Sequence, residues 1–448
     1  MMLKTIADKL DVFFHSSTYM IVLTVIAFLG LYLRLEVLTI FVIGFFVILS
    51  WLTSEDILPS FLMVALIGMI ALRIPRGDEL AYFRPLYFTP IFIVPAFVAK
   101  LFIHPFRLEK GLFFYPTVAV AIAITIGGLF SISLERYFSL PTIYYTVGLG
   151  IGMVGIYFIL ERYLLDRDDI VDYFSKMMVA IGAVGTFMLF AAYYEMFGSF
   201  FSIQPGSHFQ WRNNLSNNLL MSMPFAFYLA TKGRFSIFYF ILGSLQYLAL
   251  VFSFSRGGIL FGNIIYPLVV IAAITLAKGE RIRLLTAFVL FIGITYAVFE
   301  NWIIPVADVY SAVVNRLTIS TQEARANLYR MAWSNFKAYP IFGTGLGFDT
   351  SAHYNPKTMS MYWYHSTVFQ VIGSLGIVGI IAYFYQELVR LKVLVVGDLG
   401  FNLFVFIAMI GFSGYSLVNV GYFVPIPFVA MFLTMFMVVE RNNKHITA

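Results

Sequence analysis

Apolar runs of about 20 residues recur from one end of this chain to the other, and no other feature constrains its fold as much. Each run is long enough to cross about 30 Å of hydrocarbon, where only helices and closed barrels satisfy their own backbone groups. The runs are continuous rather than alternating, which selects helices. Spans are predicted at 18–32, 37–52, 57–74, 86–103, 112–134, 142–160, 174–197, 215–231, 235–254, 257–277, 283–303, 367–386, 399–416 and 419–438. Pro and Gly interrupt several of them, so the expectation is an all-α polytopic membrane protein with about 12–14 transmembrane helices.

Composition agrees with that class. Of 448 residues, 60% are hydrophobic and only 12% charged, and the mean hydropathy of +0.87 lies far from that of an ordinary soluble domain. Cysteine is absent, which removes disulfides, thiolate metal sites and a cysteine nucleophile from consideration. The start of the chain lacks the pattern of a removable signal peptide, so the first run is expected to stay as an anchor with the N-terminus cytoplasmic. The net charge of +6 is spread over short loops without a basic tail, which is read as topology and not as nucleic-acid affinity.

With the N-terminus inside, 17 of the 29 cations fall on cytoplasmic segments, and every cytoplasmic loop except the Ser54-Glu55-Asp56 turn carries positive charge. The C-terminus is then cytoplasmic too. Outside there are ten arginines and two lysines, against eight arginines and nine lysines inside. Arginine presents a planar fork that pairs bidentately with phosphate. An arginine-rich outer face suits either a phosphate-bearing ligand or lipid headgroups.

One external segment, 304–366, is too long for a turn. It carries its own helix signal, STQEARANLYRMAWSNFKAYP, with Ser320 and Glu323 at capping-box spacing and Pro340 as the stop. The expected organisation is a bundle over 1–303, an extracytoplasmic helical subdomain over 304–366, and closing helices over 367–448.

Three stretches hold candidates for chemistry. FSFSRGGILFG sets Arg256 at the outer end of a span, with Ser255 as N-cap of the next helix and two glycines allowing close approach. A helix N-terminus beside an arginine suits a pyrophosphate; a basic residue in a tight interfacial turn is the other reading. On the loop helix, Arg325, Tyr329, Ala332 and Phe336 share one stripe and Arg330 points elsewhere. A charge on that stripe calls for a partner, either a carboxylate such as Glu323 or a ligand anion. WYHSTVFQVIGSLGIVG puts His365 at the start of a span, where the helix N-terminus favours the neutral ring that a general base needs. GTGLGFD lacks the lysine and strand-to-helix context of a phosphate loop and is read as a turn. Asp349 and His353 have no third ligand at metal spacing, so neither a metal nor another cofactor is expected.

His365-Ser366, nine residues, then Gly376-Ile377-Val378-Gly379 resembles the signature of the O-antigen ligase and polymerase superfamily, His-[Asn/Ser/Gln] followed by nine residues and Gly-x-x-[Gly/Thr/Tyr]. RANLYRMAWSNFKAYPIFGTGLG is similar to that superfamily's Arg-x-x-x-aromatic helix running into Pro-x-x-Gly-x-Gly, and SRGGIL to its Ser-Arg-Gly turn. QWRNNLSNNLLMSMP is similar to its arginine segment before an asparagine-containing helix start, with a shorter gap and without the usual glycine; Arg212 is the counterpart.

The resemblance implies a membrane glycosyltransferase that moves a glycan from an undecaprenyl-pyrophosphate donor to a hydroxyl of a glycan or glycolipid acceptor. It implies a site on the outer side of a bacterial inner membrane, among membrane lipids. His365 would serve as base, Arg256 and Arg325 with Arg212 would hold the pyrophosphate, and the reaction would invert at the anomeric carbon without a metal. Tyr329, Trp363 and Tyr364 are candidate sugar contacts, as are Tyr354 and Tyr362 on the same loop; an interfacial aromatic belt is the alternative for some of them. A transporter or flippase of lipid-linked oligosaccharide is the competing class, which repeated halves and charges within the spans would favour.

Overall fold

All fourteen apolar runs form helices. The computed structural model describes residues 2–73, 84–105, 108–197, 211–233, 235–318, 322–346 and 363–447, and among them there is no β-strand. The helices Ser17–Tyr32, Glu36–Thr53, Leu58–Ala71, Pro90–Ile103, Phe114–Ile126, Ile170–Phe197, Arg212–Ala230, Ser236–Phe252, Arg256–Leu276, Arg281–Val298, Thr367–Leu394, Leu399–Leu417 and Ile426–Thr447 each overlie one predicted span. The 142–160 run is a stepped pair, Leu140–Leu149 and Ile151–Tyr163, which meet at Gly150.

Among the described residues seven helical segments, one of them this stepped pair, are long and apolar enough to cross a membrane. A bent pair at the N-terminus brings the number to eight, and four apolar helices are shorter. This all-α, multi-span architecture is that of an integral membrane protein. The run 112–134 illustrates the shortening: its helix stops at Ile126, followed by Gly127 and by Gly128 with φ +84°.

The Arg212–Ala230 helix departs from the rule that spans are apolar, and its surroundings explain why. Every residue from Leu215 to Ala230 is buried, with Ser216, Asn217, Asn218 and Ser222 among them. It is enclosed by the helices Ile170–Phe197, Ser236–Phe252, Arg256–Leu276 and Leu399–Leu417. A helix with no lipid-facing surface can carry polar side chains that a lipid-facing one cannot.

The N-terminal helix Met2–Phe14 was not anticipated. It is amphipathic, and its axis turns 71° from the following Ser17–Tyr32 helix, as a helix lying along a membrane surface would. His15 sits at the hinge and bridges the carbonyl of Asp11 at 2.8 Å and the carboxylate of Asp56 at 3.1 Å.

The Thr367–Leu394 helix is broken at Gly376, which has φ +63° and ψ −153°. The loop Pro340–Gly345 fills the break. Thr344 and Gly345 donate their amides to the carbonyls of Gly373 and Ser374, both at 2.9 Å. Ile377 and Val378 donate to Pro340 at 2.8 Å and Ile341 at 3.2 Å. A Cβ on Gly376 would lie 2.5 Å from both the Pro340 and the Ile341 carbonyl oxygen. The loop is anchored from behind, where Gly128 donates to Phe342 at 2.8 Å and the Ser131 hydroxyl to Gly343 at 2.9 Å. GTGLG is thus a turn, as its sequence indicates, and its work is to splice a helix. The two members of the expected capping box, Ser320 and the Glu323 side chain, lie outside the described residues, as do Asp349, His353, Tyr354 and Tyr362.

Candidate functional site

Five chain segments converge at one end of the bundle: the start of the Arg212–Ala230 helix, the Ser253–Gly258 corner, the Gln322–Ala338 helix, the Trp363–Thr367 approach to the broken helix, and the end of the Leu399–Leu417 helix with Val418 and Asn419. They enclose a cavity of about 320 Å³ whose lining includes Arg212, Arg256, Arg325 and His365. Asn213, Ser255, Tyr415 and Asn419 supply the other polar groups. No carboxylate is among the described residues that line it.

The corner at Arg256 is built by sterics. Phe254 has φ +50°, a left-handed conformation that costs a residue with a side chain about 1–2 kcal/mol. It lets the chain reverse between the helix ending at Phe252 and the one starting at Arg256. Ser255 caps the new helix, accepting from the Gly258 amide at 3.4 Å, and its hydroxyl donates to the Asn213 side chain at 3.0 Å. The glycine pair serves packing: a Cβ on Gly257 would stand 2.9 Å from the Tyr415 ring, and one on Gly258 would stand 2.7 Å from Ser216.

His365 repeats the arrangement. It has φ +54°, precedes an N-cap serine, and has an exposed side chain. Ser366 accepts from the Phe369 amide at 3.5 Å. Strained backbone of this kind persists where surrounding contacts hold it, and here those contacts are identifiable. The Tyr329 hydroxyl reaches the His365 carbonyl at 3.5 Å, and its ring stacks on Phe369 at 4.2 Å between centroids. Thr367 donates its amide to the carbonyl of Asn419 at 2.8 Å.

Arg325 lies one helical turn before Tyr329, on the buried stripe of its helix. That stripe reaches Ala332, which is fully buried against Gly373. Arg330 faces away and donates to Asn327 at 3.0 Å. Arg325 has no salt bridge among the described residues, whereas Arg73, Arg162, Arg167, Arg390 and Arg441 pair with carboxylates. The cavity arginines also feel one another's charge, Arg212 that of Arg256 and Arg256 that of Arg325. Positive charge concentrated in this way suits an anionic ligand.

The three aromatic candidates take supporting positions outside the cavity lining. Tyr364 is 2% exposed, and its hydroxyl accepts from Asn335 at 2.7 Å while its amide donates to Gln370 at 3.0 Å. Trp363 packs edge-on against Tyr145 with centroids 5.0 Å apart. Burial therefore argues against Tyr364 as a sugar platform. Among the described residues no group of three His, Cys, Asp or Glu side chains is set to hold a metal ion.

Residues 238–384 match the family model described as O-Antigen ligase. That segment is similar to an O-antigen ligase domain. The resemblance to the O-antigen ligase and polymerase superfamily holds over it and supports a membrane glycosyltransferase-like function. No curated protein matches the chain. The matched segment covers about a third of the sequence and contains Arg256, Arg325 and His365, together with the spliced helix. Arg212, Tyr415 and Asn419 lie outside it, yet line the same cavity.

Sequence reasoning passed over Asn213, Tyr415 and Asn419. Asn213 adjoins Arg212 within a quoted stretch, and a polar residue one step inside a helix start was the available signal. Tyr415 and Asn419 close an apolar run, where aromatic and polar residues are ordinary.

Proposed function

We propose that the protein transfers a glycan from a polyprenyl-pyrophosphate carrier, of the undecaprenyl type, to a sugar hydroxyl of a glycan or glycolipid acceptor. The observation that carries this reading is the shared cavity: three arginines and a histidine, with no carboxylate among its described lining residues. His365 accepts the proton of the acceptor hydroxyl as that oxygen attacks the anomeric carbon. The bond from carbon to the pyrophosphate oxygen breaks, the electron pair leaves with the pyrophosphate, and the configuration inverts. Arg212, Arg256 and Arg325 offset the charge that accumulates on the leaving group, in the manner of preorganised donors aimed at a developing anion. In this reading the guanidinia do the work that a divalent metal does elsewhere.

An apolar groove supports a lipid-linked donor. It has a volume of about 930 Å³ and runs along the Arg281–Val298 helix from Ile282 to Phe299 and Ile303. Phe299 stacks on Phe252 at 5.1 Å, four residues before Arg256, so the groove ends beside the cationic corner. The topology that goes with this reading is a bacterial inner-membrane protein with both termini cytoplasmic and the cavity on the outer side. Residues 1–303 and 367–448 then form the bundle, and 304–366 forms the extracytoplasmic loop.

The test is transfer of a labelled glycan from undecaprenyl pyrophosphate by purified, reconstituted protein, with donor binding measured separately. His365→Ala is expected to abolish transfer while leaving donor binding within about twofold. Undiminished transfer by that variant would remove His365 as base. Activity lost to chelator and restored by a divalent ion would remove the arginines from the metal's place.

A further inference from the structure

We propose that Tyr415 is the positioning residue of this site: its side chain ties together the three chain segments that carry Arg212, Arg256 and His365. The inference rests on the cavity's proposed role and names a residue outside the segment similar to an O-antigen ligase domain. Tyr415 is 2% exposed, near the end of the Leu399–Leu417 helix. Its hydroxyl donates to the carbonyl of Asn213 at 2.9 Å, one residue from Arg212. The same oxygen accepts from the side-chain amide of Asn419, whose carbonyl receives the Thr367 amide at 2.8 Å, two residues after His365. The ring lies against Gly257, one residue after Arg256, in a space that a Cβ would enter at 2.9 Å.

The chemistry of the phenol separates this role from catalysis. A tyrosine hydroxyl has one proton to donate, and that proton is spent on the Asn213 carbonyl. Tyr415 therefore acts through its neighbours, by fixing where two guanidinia and an imidazole stand relative to one another. Misplacement of such groups by about 1 Å is enough to cost about a hundredfold in rate. The glycine after Arg256 follows from the same packing, because only a residue without Cβ lets the ring pass between the helices.

The experiment uses full-length protein in proteoliposomes, comparing wild type, Tyr415→Phe, Gly257→Ala and Tyr247→Phe. Tyr247 is the control: it also loses a phenol hydrogen bond, to Asn263 at 2.6 Å, and neither of these two residues lines the cavity. Three quantities are read: affinity for inorganic pyrophosphate, kcat for glycan transfer, and the thermal midpoint. For both Tyr415→Phe and Gly257→Ala, kcat is expected to fall at least tenfold and pyrophosphate affinity at least threefold. Tyr247→Phe is expected to match wild type in both. If Tyr415→Phe lowers only the thermal midpoint, with kcat and affinity within twofold of wild type, the residue is structural and the proposal fails. If wild type itself transfers no glycan, the functional reading fails, and the affinity comparison still decides whether Tyr415 positions the arginines.

Discussion

The amide of Ile377 donates to the carbonyl of Pro340 at 2.8 Å, replacing the bond that an unbroken helix would make to Gly373. Gly373 gives its carbonyl to Thr344 instead. The helix bearing Arg325 and the half-helix behind His365 are therefore joined through main-chain hydrogen bonds, which hold as long as the backbone keeps its break at Gly376. Any change that closes the break should separate the two.

Gly376→Ala is the direct test. Its φ and ψ fall in a region essentially reserved for glycine, costing another residue about 1–3 kcal/mol, and the added methyl would collide with two carbonyl oxygens. Transfer is expected to fall more than tenfold, with a lower thermal midpoint. Gly155→Ala, in a helix with nothing within 4 Å of the new methyl, should leave both unchanged.

Arg256→Lys keeps the charge and removes the fork. Hydrogen bonds to charged groups contribute about 1.5–3 kcal/mol, so transfer should drop about ten- to a hundredfold and pyrophosphate affinity should fall with it. Equal activity in the two proteins would mean that a point charge suffices at the corner.

Tyr329 offers a contrast between ring and hydroxyl. Its hydroxyl contact to His365 is long, and its stacking on Phe369 is close. Tyr329→Phe is expected to retain transfer within about threefold, while Tyr329→Ala, which removes an aromatic pair worth about 0.5–1.5 kcal/mol beyond its buried area, should lose most of it. Kinetic measurements on the two variants at saturating donor separate support of His365 from direct sugar binding.

Arg73 holds two carboxylates. It binds both oxygens of Glu195 at 2.6 Å and lies 3.5 Å from Glu36. Removing one partner of a buried ion pair costs about 3–5 kcal/mol because the other charge is left uncompensated. Arg73→Met should therefore lower the thermal midpoint more than the double variant Arg73→Met with Glu195→Gln does.

His15 gives a pH signature at the hinge. Burial pushes its imidazole down and the Arg167 charge opposes protonation, but the hydrogen bond and charge of Asp56, helped by the Asp11 carbonyl, raise it above the ordinary value on balance. A raised value in the folded state contributes stability that is full below the ordinary pKa of about 6.5 and is lost as pH climbs through the folded one. The midpoint advantage of wild type over His15→Ala should be largest at acid pH and shrink toward pH 9; a pH-independent difference would show that folding leaves the proton affinity of the imidazole unchanged.

The spans were legible because lipid imposes one requirement, length of apolar chain, that shows residue by residue. The breaks were not, since Gly376 inside SLGIVG looks like any glycine in a membrane helix until the Pro340 loop is seen to fill it. Arg256, Arg325, Arg212 and His365 stood out because a chargeable group at the mouth of an apolar run is unusual. Tyr415 and Asn419 did not, because their importance lies in what they touch and their residue types suit any membrane interface. The burial of Tyr364 was not legible for the same reason: an aromatic beside the histidine is compatible with both an open platform and a buried strut.

The three arginines gathered among the cavity's described lining residues have a consequence for its energetics. Like charges set side by side push outward, so an anion seated there acts as a keystone, closing the structure as well as occupying it. Binding to the folded state alone stabilises it in proportion to RT ln(1 + [L]/Kd). Pyrophosphate should accordingly raise the melting temperature of the whole bundle, and the cargo's departure should loosen it again once in every cycle.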